Sequence, residues 1–235
     1  MKSIKGLVAG AAFVLATAAS ADTITVDWNN PIFGALGARD VGVVTHPGGS
    51  INTDAGRFHG VVTATTGVST SELIDSGANF FAYCHDLAQT IGDTTYTVQY
   101  GASAIMRDFL GAVNSVLGGD PYAWLRPDNK HEAAAIQLGI WEALHGDDFN
   151  LATGLVQFSG SPGATALGLF DSFVAAMATS ESLSNDRVMV LVHNGKQDVI
   201  TGIIPPSRLV PEPGTLALLG MAVVAVAATT RRRMR

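Results

Sequence analysis

The chain has 235 residues, of which 14% are charged and 26 are glycine. That length accommodates one domain with a good core, and the low charge with frequent glycine favours a folded, glycine-turned extracellular domain over a disordered one. The formal net charge is −6, but six of the 14 basic residues and one of the 20 acidic residues lie in the terminal segments, so the 22–210 stretch holds 8 basic and 19 acidic residues, a net −11; such a surface repels nucleic acid and offers no phosphate-tracking patch.

Residues 1–21 read as a secretory signal peptide. Lys2 and Lys5 supply the charged start, residues 7–18 the apolar run, and Ala19-Ser20-Ala21 a small-residue cleavage site. An N-terminal anchor is the competing reading, for which the apolar run is short. From Asp22 to about Gln99 the pattern is mostly β. Residues 23–28 alternate threonine or charge with apolar side chains, and 41–44, 58–64 and 95–99 are further β-branched or aromatic runs. Gly48-Gly49, residues 52–56 and Gly92-Asp93 read as turns, and the Thr/Ser-rich 63–71 stretch as an exposed loop or edge. Phe80-Phe81-Ala82-Tyr83-Cys84 is an aromatic, strand-like run ending in the only cysteine, which in an exported chain has no internal disulfide partner.

From Ala102 the period changes. Ile105, Met106, Phe109, Leu110, Val113, Val116 and Leu117 fit an amphipathic helix ended by Gly118-Gly119. A second, central helix is expected over 129–146. Asn129 is its N-cap, Glu132 completes a capping box, and His145-Gly146 closes the far end. Ala133, Ile140, Trp141 and Leu144 recur at helical spacing, and Gln137 sits in the middle of their stripe. A buried amide without partners costs roughly 1–3 kcal/mol, so Gln137 must be hydrogen-bonded or must have reacted. Residues 147–163 read as loop, and Ala166, Leu167, Phe170, Phe173, Val174 and Met177 mark a third helix. Residues 187–192 and 198–203 flank His193-Asn194-Gly195-Lys196, an Asn-Gly hairpin signal. The fold class is therefore α+β: a β-rich sandwich or barrel with an inserted helical subdomain, ending in a β-hairpin whose strands rejoin the first sheet.

At the C-terminus, Val210-Pro211-Glu212-Pro213-Gly214 precedes an apolar run over 216–228 and a tail of four arginines. A tail anchor would use the same run, with the arginines stopping it at the cytoplasmic face. The order of parts resembles the PEP-CTERM sorting signal of Gram-negative bacteria, which pairs a Pro-Glu-Pro motif with a hydrophobic helix and a basic tail. That resemblance implies three segments: signal peptide 1–21, extracellular domain 22–209 and sorting signal 210–235. It also implies an inner-membrane-anchored precursor, cleavage near Pro211 by an exosortase, and release or attachment at the cell surface of a bacterium that makes exopolysaccharide.

Tyr83-Cys84 and Ile136-Gln137-Leu138-Gly139-Ile140-Trp141 together resemble the aromatic-Cys and hydrophobic-Gln-x-x-hydrophobic-aromatic motifs of bacterial thioester domains, over most of 22–209. Ile136 stands where those domains often have threonine and Gly139 where alanine is common. The resemblance implies attack of the Cys84 thiolate on the Gln137 side-chain carbonyl with loss of ammonia. The product is an acyl electrophile open to an amine on a surface or matrix partner, and it acts once, not as a turnover enzyme. A base or positive group beside the thiol helps such a reaction, and His85 and His131 are the candidates; Phe80, Phe81, Tyr83 and Trp141 are expected to keep water out. No cofactor and no metal are expected. Other readings stay open: Cys84 as a small buried hydrophobe with Gln137 bonded to backbone, in a structural protein of an exopolysaccharide or biofilm matrix; or a cysteine hydrolase using Cys84 with His131 or His193, although no glycine-framed nucleophile motif surrounds Cys84. His85-Asp86 reads as a surface turn before a metal or catalytic pair. Asp147-Asp148 reads as loop solvation, because the alternating oxygen ligands of a calcium loop are absent.

Overall fold

Threonines alternating with Ile24 and Val26 draw the chain into its first strand at the start of the described region, with both apolar side chains fully buried. The computed structural model describes residues 21–36, 39–46, 49–87, 89–146, 148–153, 156–158 and 163–205. In chain order its strands are β1 (Thr23–Trp28), β2 (Arg39–His46), β3 (Gly49–Ala55), β4 (Phe58–Thr66), β5 (Phe80–Cys84), β6 (Thr94–Tyr100), β7 (Gln157–Phe158), β8 (Val188–Val192) and β9 (Val199–Gly202). Its helices are α1 (Ala104–Val116), α2 (Lys130–Trp141) and α3 (Ala164–Ala176).

Six strands close into an antiparallel barrel in the order β1-β4-β5-β9-β8-β6. Closure leaves these strands no long free edge. The helices lie between β6 and β8 in sequence, so the architecture is a β-rich barrel with a helical insertion, as the pattern of periods predicts. β8 and β9 pair antiparallel from Val188↔Gly202 to Leu191↔Val199. Their connection is wider than a two-residue Asn-Gly turn. It spans 193–198 and is held by Asp198 Oδ1, which accepts from His193 N at 2.8 Å, and by His193 Nδ1, which accepts from Gly195 N at 3.0 Å. Beyond β9 the chain stays tied down: Ile203 N donates to Arg187 O at 3.0 Å and Ile204 N to Glu72 O at 2.7 Å.

A second sheet, of order β3-β2-β7, leaves the barrel between β1 and β4. Two expectations fail here. Residues 52–56 were expected as a turn, yet most of them belong to β3, which pairs with β2 from Arg39↔Ala55 to His46↔Gly49. Ser50, Asn52 and Asp54 occupy the exposed face while Ile51 and Thr53 are half-buried, so turn-forming residue types mask a period-2 pattern. Residues 147–163 were expected as loop, yet Gln157 and Phe158 pair with Thr45 and Val44. The 63–71 stretch divides: β4 continues through Thr66 on β1, while its pairing with β5 involves Phe58, His59 and Gly60.

α1 starts at Ser103, whose Oγ accepts from Met106 N at 3.3 Å, and buries Met106, Phe109, Leu110 and Val113. Gly118 and Gly119 follow it at φ +110° and +83°, a region other residues avoid. α2 has the expected cap: Asn129 Oδ1 accepts from His131 N and Glu132 N at 2.9 and 3.1 Å. Glu132 closes the box one residue early, accepting from Asp128 N at 2.8 Å. The far end departs further, since α2 gives way at Glu142 to a π-helical turn, Glu142–Gly146. Nor does α2 carry a single apolar stripe: all nine residues from Ala133 to Trp141 are buried. It packs against α1, α3, β2, β3 and β5 at once, so no face is left for solvent. Among the described residues no helix is long and apolar enough to cross a membrane. The expected span over 216–228, the Pro211-Glu212-Pro213 motif and residues 1–20 of the expected leader lie outside the described residues.

Candidate functional site

β5 is an inner strand of the barrel, bonded to β4 on one side and β9 on the other. Cys84 is its last residue, opposite Val199, and is only 2% exposed. The strand ends there because the chain turns at Asp86, within the His85-Asp86 turn read from the sequence. Its carboxylate accepts from Gln89 N at 3.2 Å and Asp198 N at 2.7 Å, and its carbonyl accepts from Gln197 Nε2 at 3.0 Å. The Cys84 thiol also donates to that carbonyl. A short polar residue able to tie a turn was the only signal for this role.

Gln137 sits in the middle of α2 and is 1% exposed. The fold brings it to Cys84. Gln137 Oε1 accepts from Cys84 N at 2.9 Å, and Gln137 Nε2 donates to Cys84 O at 2.9 Å. The amide thus continues the barrel's hydrogen-bonding past the strand end, and both its polar atoms are satisfied. Trp141, one helical turn on, donates its indole N–H to Cys84 Sγ at 3.3 Å. Burial pushes the Cys84 thiol well above its usual range; the Trp141 and Asp86 hydrogen bonds oppose this only in part. The thiol is therefore protonated at neutral pH.

The expected supporting residues divide. Trp141 touches the sulfur. Tyr83, the next residue back in β5, turns the other way and stacks on Trp124, centroids 6.0 Å apart. Its hydroxyl is buried and has no hydrogen-bond partner among the described residues, and burial raises its pKa. Arg57 lies 3.7 Å over the Phe81 ring and donates to Leu125 O at 2.7 Å. His85 forms no hydrogen bond to Cys84 or Gln137 among the described residues; burial lowers its pKa to about 4, against a smaller raising by Asp86. His131 is six residues before Gln137, about 9 Å of helical rise, with its Nδ1 buried and without a hydrogen-bond partner among the described residues. His193 lies edge-on to Tyr96, centroids 6.1 Å apart, and forms no hydrogen bond to Cys84 among the described residues. Neither His85, His131 nor His193 is hydrogen-bonded to the thiol among the described residues, as a nucleophile-base pair requires.

Residues 209–233 match the PEP-CTERM protein-sorting motif. The chain carries a PEP-CTERM sorting signal. Pro211, Glu212 and Pro213 fall within the match. Such a signal marks an exported, membrane-anchored precursor that an exosortase processes for the cell surface. The match does not reach the barrel, and no curated protein and no solved structure matches the chain.

In the domain that precedes this signal a cleft of about 590 Å³ opens beside the Cys84–Gln137 pair. Cys84 and Trp141 form its deep end, being almost fully buried, while Asn52, Asp54 and Thr90 line it as exposed residues. His85 lines a different cavity, with Leu144 and Asp198. Asp147 lies outside the described residues. Asp148 Oδ1 caps its own loop, accepting from Asn150 N at 3.1 Å. Among the described residues no cluster of His, Cys, Asp or Glu gathers to hold a metal.

Proposed function

We propose that the extracellular domain, residues 22–209, forms an internal thioester between Cys84 and Gln137 and uses it once to attach covalently to an amine on a surface or matrix partner. The observation that carries this reading is the reciprocal pairing of the Gln137 amide with the Cys84 backbone, both bonds at 2.9 Å, with an indole N–H on the sulfur. A preorganised N–H on Oε1 stabilises the charge that develops there as the carbonyl is attacked. In the first step the Sγ–Cδ bond forms and the Cδ–Nε2 bond breaks. The thiol proton leaves with Nε2, so ammonia is released and no oxidant is needed. In the second, an amine attacks Cδ, the Sγ–Cδ bond breaks, and an amine proton returns to the thiol. The partner ends on Gln137 through an amide, and the domain does not turn over. In this scheme the leader 1–21 is removed on export, the apolar run 216–228 anchors the precursor in the inner membrane, and the processed protein joins the surface or its exopolysaccharide matrix.

Intact mass of the secreted protein, before and after methylamine, tests the reading. The expected species is short by one ammonia and then gains one methylamine; Cys84→Ala shows neither change. A full-length mass with a thiol that alkylates only after unfolding sinks it. One observation favours a second reading, a structural matrix protein: both Gln137 polar atoms already have partners, so the pair is stable unreacted. On that reading Cys84→Ala leaves matrix association in cell fractions unchanged.

A further inference from the structure

Ile51, Asn52, Thr53 and Asp54 are consecutive, and all four line the cleft that ends at Cys84 and Trp141. Side chains of a strand alternate between its two faces, so a cavity against one face meets every second residue. Contact with four in a row means that the cleft runs along the edge of β3. That edge is open. β3 is terminal in the order β3-β2-β7, and among the described residues no backbone hydrogen bond joins Ile51, Asn52, Thr53 or Asp54 to anything but β2. In an antiparallel pair, every second residue of the outer strand turns its N–H and C=O away from its partner. The barrel removes such edges by closing, whereas β3 keeps one beside a buried electrophile candidate.

We propose that the partner is a protein segment that adds in extended form to the free edge of β3 and directs a lysine side chain down the cleft to the Cys84–Gln137 carbonyl. The proposal rests on the thioester reading for its covalent step, but not for the docking. Three features fit this occupant. Backbone groups exposed on an edge are satisfied by another strand in the way a peptide extends a sheet. The walls are apolar at the deep end, with Trp141, Phe58 and Leu87 suited to a lysine's methylene stem. The charged residue in the lining is Asp54, exposed at the mouth, in a domain of net charge −11; it draws an ammonium group in. The ammonium loses its proton to solvent at the mouth, and the neutral amine attacks Cδ as above.

The test uses the secreted protein and two seven-residue peptides, Thr-Val-Thr-Lys-Thr-Val-Thr with blocked ends and the same peptide N-methylated on alternate backbone nitrogens. Nα-acetyl-lysine methylamide and methylamine serve as references. The expected result is adduct formation with the first peptide about tenfold faster than with Nα-acetyl-lysine methylamide, the equivalent of one or two net backbone hydrogen bonds. The N-methylated peptide loses that advantage, and Asp54→Asn slows every cationic amine. Equal rates for the two peptides, with methylamine still incorporated, overturn the docking and leave the thioester standing. If no amine is incorporated, the thioester fails; the docking is then judged on Cys84→Ala, where the first peptide should still shift the amide resonances of residues 51–54. No shift there overturns it.

Discussion

Gly139 shows how a single residue constrains the site. It lies between Gln137 and Trp141 on α2, where alanine is the better helix former by about 1 kcal/mol. A Cβ built at this position falls onto the Phe109 ring. That ring cannot retreat, being fully buried and packed against Phe149 and Phe173 at 5.6 and 6.3 Å. Gly139→Ala is therefore expected to lower stability by about 1–3 kcal/mol through overpacking, seen as a lower urea midpoint at unchanged slope. The departure from the thioester-domain pattern at this position follows from Phe109, a contact no linear motif displays. Trp141→Phe separates packing from chemistry. It keeps an aromatic ring but removes the N–H on Cys84 Sγ. On the thioester reading, ammonia loss after refolding is expected to slow about tenfold, with a melting temperature within a few degrees of wild type. The pairing of Cys84 with Gln137 was legible only through two motifs in their order. At Asp86 only the turn was legible, and the roles of Arg57 and Trp124 were not, because side-chain bonds to backbone and buried aromatic stacks leave no spacing rule.

Elements with one dry face were readable, and those with none or with a disguised one were not. β1, β4, β6, α1 and α3 show their period in the sequence because one side of each meets the core. α2 is buried all round, so its 3.6-residue period carries no contrast, and the Gln137 stripe was only part of its buried surface. β3 hid behind Asn52 and Asp54 on its wet face, and β7 is two residues long. The start of α2 was readable because capping is local chemistry. Asn129 Oδ1 satisfies two of its first N–H groups. Asn129→Ala is expected to cost about 1 kcal/mol, and, since α2 carries Gln137, to raise amide exchange along the first turn of that helix.

For the whole molecule, the barrel has its own acid limit. His85 lies just past the end of β5, and burial lowers its pKa from 6.5 to about 4, with Asp86 opposing and His145 adding to the shift. The unfolded chain takes up this proton near pH 6.5 and the folded chain only near pH 4. The stability due to a neutral His85 is thus fully present above pH 6.5 and is lost as pH falls towards 4, by roughly 2–3 kcal/mol. Urea midpoints at pH 7.5 and 4.5 should fall less for His85→Leu than for wild type. The barrel itself was legible as α+β, but its closure order was not, because strand neighbours such as β5 and β9 are more than a hundred residues apart. The hydrogen bond from Ile204 N to Glu72 O fixes how far the folded body reaches towards the sorting signal. Eleven residues separate Ile204 from the apolar run that begins at Leu216, and a chain spans at most ~3.3–3.6 Å per residue, so a tether from the folded body to that run is no longer than about 43 Å. If the 216–228 run anchors the precursor as proposed, the barrel stays within that distance of the bilayer until the exosortase cuts, like a buoy on a mooring. On the attachment reading its cleft then sweeps only a layer of that depth beside the membrane, and cleavage sets the range over which it meets an amine-bearing partner.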